Sequence, residues 1–67
     1  MIDPNEYRIT VQRRETEDGL LFEGTVHELP DVAVYGETCN QAYDLAVDAI
    51  EGLYKLAEQQ DRPFPRP

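Results

Sequence analysis

Apolar and polar residues alternate along the first half of the chain and then recur every three to four positions, predicting strands first and a helix after them. Over residues 6–14, Tyr7, Ile9 and Val11 fall on one side and Arg8, Thr10, Gln12 and Arg14 on the other, a half-buried strand. Residues 15–19 (Glu-Thr-Glu-Asp-Gly) are a turn, in which Asp18-Gly19 supplies the positive φ angles of a hairpin. The return strand covers residues 20–28, with Leu20, Phe22, Gly24 and Val26 on one face and Leu21, Glu23, Thr25 and His27 on the other. Leu29-Pro30-Asp31 breaks the alternation, and residues 32–35 resume it as a short third strand; Val32/Val34 and Ala33/Tyr35 are both apolar pairs, and the valines are favoured as the inward one.

Gly36 bends the chain into the strongest element, a helix over residues 39–60. Ala42, Leu45, Ala46, Ala49, Ile50, Leu53, Leu56 and Ala57 lie within roughly 140° of helical arc, a one-sided core face. Thr38 and Gln41 form a capping box in which the Gln41 side chain reaches back to the Thr38 amide. Residues 58–61 fade from the pattern and Pro63 forbids continuation. In residues 62–67 the prolines alternate, so all their missing donors lie on one edge. A short edge strand tolerates that arrangement, and an extended polyproline-like tail is the alternative. The expected fold is therefore α+β, a two-layer β-β-β-α-β unit of three antiparallel strands plus a short parallel edge strand, with one helix on one sheet face.

With 67 residues the chain has room for one domain and a small core. Its single cysteine, Cys39, rules out an internal disulfide framework and reads as a small residue in the first helical turn. Absence of a signal peptide or a long apolar run makes the cytoplasm the expected compartment. Fourteen acids against six bases give a net charge of −8, which repels phosphate backbones and favours a basic protein partner over nucleic acid.

The ordered pieces resemble the HicB-like antitoxin domain: the hairpin with its Glu-Asp-Gly turn, Leu29-Pro30-Asp31, and Gly36-Glu37-Thr38. The resemblance continues through the helix with Gln41-Ala42, Ala46, Asp48-Ala49-Ile50-Glu51, and ends in Pro-Phe-Pro. Asp31 stands where that family often has glycine. The resemblance implies a partial ribonuclease-H-like fold that binds and masks a small basic ribonuclease toxin, HicA. The expected form is a single HicB-like domain over residues 1–67, with no C-terminal DNA-binding domain.

No candidate for catalysis, cofactor binding or metal binding emerges. A ribonuclease-H-type nuclease needs carboxylates converging on two metal ions from the middle of the first strand, and that place holds Ile9, Thr10 and Val11. His27, expected on the open sheet face, has no partner pattern. The helix surface carries more. Asp44, Asp48 and Glu51 form an acidic stripe, with Glu51 placed to pair with Lys55. Tyr43, Val47 and Tyr54 cluster just outside the core arc, either flanking the sheet or forming aromatic anchors of an interface with an acidic rim. Tyr43, Asp44, Val47, Asp48, Glu51 and Tyr54 are thus the expected partner-binding residues. The open sheet face, with Leu21 and Tyr35, and the alanine-rich core favour a homo-oligomer. The alternative to an antitoxin is a self-assembling or adaptor module with no toxin partner.

Overall fold

The computed structural model describes residues 2–67. After a 3-10 turn at Pro4–Glu6 come β1 (Ile9–Thr16), β2 (Gly19–Val26), β3 (Leu29–Gly36) and α1 (Cys39–Gln59). The three strands form one antiparallel sheet in the order β1-β2-β3, and the helix packs on one face, an α+β arrangement. The first hairpin is tighter than its sequence suggests, because Thr16 pairs with Gly19 and leaves only Glu17 and Asp18 in the loop. Gly19, at φ 118°, carries the positive angle alone, and Thr16 Oγ1 donates to its carbonyl at 2.9 Å. A glycine just past the loop takes up the strand twist there, a role a side chain would strain.

β3 begins earlier than the alternation predicts. Leu29 pairs with Val26, Ala33 pairs with Thr25, and residues 30–32 between them bulge out of register. The bulge accommodates Pro30, which has no N–H to give to a ladder. Beyond it, Val32 is buried, Val34 half-buried and Tyr35 exposed, the inward assignment expected for the two valines. Because the β2–β3 pairing stops at Phe22 and Gly36, residues 14–21 continue as a two-stranded arm with no third strand beside it. The chain is accordingly elongated, 40 × 20 × 16 Å.

The helix begins as its cap requires. Thr38 Oγ1 accepts from the Gln41 amide at 3.0 Å, while the Gln41 side chain accepts from the amide of Glu37, not of Thr38. It closes in a Schellman motif. Asp61 turns left-handed at φ 53°, its amide donates to the Glu58 carbonyl, and the Arg62 amide donates to the Ala57 carbonyl at 2.9 Å. Residues 62–67 then leave the helix without joining the sheet, so the fourth strand expected from the sequence is not part of it. Side chains tie this segment down instead. The Tyr7 hydroxyl donates to the Pro65 carbonyl, and the Phe64 ring packs edge-on against Tyr7 and Tyr54, with centroids 6.1 and 5.5 Å apart. Three prolines leave few amides for pairing, whereas one aromatic ring can still be buried.

The helix docks by only part of the face its hydrophobic periodicity marks. Ala42, Ala46 and Ile50 are fully buried, but Leu45, Leu53 and Leu56, all expected in the core, are 37%, 39% and 46% exposed. Contact occurs where the residues are smallest. A Cβ placed at Gly24 would lie 2.9 Å from the Ala42 carbonyl oxygen, and one at Gly36 would lie 2.8 Å from the Ala42 nitrogen. This close seat rolls the helix by roughly 50° from the orientation that centres the apolar arc on the sheet. The flank with Tyr43, Val47 and Tyr54 turns in, and the flank with Leu45 and Leu56 turns out. The core that remains is Tyr7, Val26, Val32, Ala42, Ala46 and Ile50, of which only Val26 and Ile50 are large aliphatic side chains shielded completely.

Candidate functional site

The roll of the helix divides the expected partner-binding residues. Asp44, Asp48 and Glu51 stand exposed along its outer side. Tyr43, Val47 and Tyr54 are half-buried, and the two tyrosines have internal partners. The Tyr43 hydroxyl donates to Asn5 Oδ1 at 3.0 Å, which fastens the N-terminal turn, and Tyr54 packs on Phe64. The expected Glu51–Lys55 ion pair does not form; among the described residues the ion pairs are Arg8–Glu28 and Arg14–Glu23. Beside the acidic stripe lies a feature absent from the expected set, the exposed Leu45, Leu53 and Leu56. Gly24 and Gly36, in line under Ala42, were the sequence signal for it, since small residues on a sheet face draw a helix toward them.

The uncovered sheet face is a second surface. Register places Thr10, Thr25 and Ala33 in one row, Gln12, Glu23 and Tyr35 in the next, and Arg14 with Leu21 beyond. Glu23 is its hub: Tyr35 Oη donates to Oε2 at 2.9 Å, and Arg14 Nε donates to Oε1 at 3.0 Å. The Tyr35 hydroxyl, and then Arg14, hold the Glu23 carboxyl below the usual range, while the bond to Glu23 raises the Tyr35 phenol. A group whose folded pKa is depressed contributes stability above its unfolded value and loses it as pH falls through the folded one. The urea midpoint of the native chain is therefore expected to fall more between pH 7 and pH 3 than that of Glu23→Gln. Equal falls in a pH series of denaturation curves would show the network contributes nothing.

His27 lies in the turn between β2 and β3, not on the sheet face, and its backbone amide donates to the Arg8 carbonyl at 2.9 Å. Cys39 is exposed at the first helical position. An open cleft of about 820 Å3 runs between the N-terminal turn, the end of the helix and the C-terminal segment. Its rim mixes Asp3, Glu6, Glu58 and Asp61 with Arg62 and Arg66. Among the described residues, no group of three or more His, Cys, Asp or Glu side chains is placed to hold a metal ion. No helix among the described residues is long and apolar enough to cross a membrane. The surfaces present negative charge, exposed leucines and a tyrosine-bearing sheet face. No protein-family model, curated protein or solved structure matches the chain.

Proposed function

We propose that this chain is a protein-binding module of the HicB-like antitoxin kind, which captures a small basic ribonuclease and covers its RNA-binding surface. The observation that carries the reading is the exposed stripe of Asp44, Asp48 and Glu51 on a chain of net charge −8. Such a stripe attracts the lysines and arginines that a ribonuclease uses to hold phosphate. Once seated, it excludes RNA by bulk and by charge. Complementary charge of this type speeds association more than it deepens affinity, so capture weakens as salt rises. The α+β fold and the ordered motifs that resemble the antitoxin domain support the same reading, and on it both proteins act in the cytoplasm.

The test is a pull-down from host lysate with the tagged chain, at low and moderate salt, followed by an RNA-degradation assay on whatever is recovered. One small basic protein in near-equal amount, released by salt, degrading RNA when free and silent when bound, is the expected result. Asp44→Lys with Glu51→Lys should abolish most of that capture. Recovery of the bait alone, or of a partner equally active in the complex, overturns the reading. A self-assembling module without a toxin is the second reading, favoured by the exposed Leu45, Leu53 and Leu56.

A further inference from the structure

We infer that the leucine flank of α1 is the seat of a second copy of this chain, joined to the first as an antiparallel helix pair about a two-fold axis. Leu45, Ala49, Gly52 and Leu56 follow one another at intervals of four, three and four residues, the seam spacing of packed helices. Leu45 and Leu56 are exposed, Gly52 is exposed with open space around its Cα, and Ala49 is half-buried. The seam is symmetric about its own middle. Laid antiparallel, Leu45 of one chain meets Leu56 of the second copy, and Ala49 meets Gly52. Large residues thus close the ends while small ones let the backbones approach at the crossing.

Charge selects the same arrangement. Asp48 and Lys55 occupy equivalent positions flanking the seam one heptad apart, so an antiparallel pair sets Asp48 beside Lys55 of the second copy, twice by symmetry. A parallel pair sets neither against an opposite charge. Lys55 is available for this, since it makes no ion pair among the described residues.

Leu53, beside the seam at 39% exposure, is covered by the same contact. Asp44 and Glu51 lie outside the contact and stay open to another protein, while Asp48 belongs to both surfaces. The leucine variants and Lys55→Asp leave the acidic stripe intact and so separate the pairing from the antitoxin reading.

Sedimentation equilibrium on the full chain from micromolar to millimolar concentration tests it. The expected mass is twice 7.7 kDa. Leu45→Glu with Leu56→Glu is expected to weaken the dimer by at least about 100-fold with helix content by circular dichroism unchanged. Because that double variant carries two new charges, the second arm keeps the leucines. Asp48→Lys and Lys55→Asp each weaken the dimer roughly tenfold, and together they restore it. A monomer at millimolar concentration overturns the inference, as does a dimer indifferent to both leucines. So does a charge exchange that fails to restore pairing.

Discussion

Replacing Gly24 with valine is expected to destabilise the chain by about 3 kcal/mol or more, with alanine at the same position costing roughly 1–3 kcal/mol. A Cβ there meets the Ala42 carbonyl oxygen at 2.9 Å and Val34 Cγ2 also at 2.9 Å. The valine methyl can turn aside. The carbonyl belongs to the helix backbone, so relief requires lifting the first turns of α1 off the sheet and uncovering Ala42 and Ala46. A domain of this size has a total stability of only about 3–10 kcal/mol, so the valine variant should be largely unfolded at 37 °C. Urea denaturation followed by circular dichroism reads the effect. Midpoints that stay unchanged through glycine, alanine and valine would mean that the helix does not sit where these distances put it.

Phe64→Ala is expected to cost about 2 kcal/mol and to lower the Tm by roughly 10 °C. The Phe64 ring is the one large apolar group that residues 62–67 bring to the body, and it fills the space between Tyr7 and Tyr54. Truncation removes two edge-to-face contacts and leaves Tyr7 with a thinner cover. The Tyr7–Pro65 hydrogen bond then has nothing to hold its acceptor in place, and limited proteolysis should trim the C-terminal segment faster. Phe64→Leu keeps apolar volume and should retain about half the loss. An unaltered Tm together with an unaltered cleavage rate for Phe64→Ala would show that the segment is not fastened through this ring.

These two positions also mark where reading the chain residue by residue succeeds and where it stops. Alternation at Tyr7, Ile9 and Val11 against Phe22, Gly24 and Val26 gives the first hairpin and its apolar face, because a strand's side chains alternate with a period of two whatever surrounds them. Thr38 marks the helix start because a cap is satisfied by amides only three residues away. The acidic stripe was likewise legible, since Asp44, Asp48 and Glu51 share a face of any helix that contains them.

Pairings made at long range were not legible. Nothing local in Pro63-Phe64-Pro65 distinguishes an edge strand from a segment pinned by its ring. The answer depended on Tyr7, distant in sequence, leaving together with Tyr54 a slot for Phe64. The bulge over residues 30–32 was hidden for a related reason: a break in alternation looks the same whether a strand ends or merely slips register.

The sequence by itself determined the three strands, the helix, their order and the acidic stripe of the helix, because each follows from hydrogen bonds and periodicity within a few residues. Only the tertiary structure decided which way the helix is turned. Hydrophobic periodicity ranks a face by its apolar content, and by that rule Leu45, Leu53 and Leu56 belong inside. Close packing ranks it by fit, and Gly24 and Gly36 offer their fit to Ala42. Fit won, and Leu45 and Leu56 were left on the outside of the molecule.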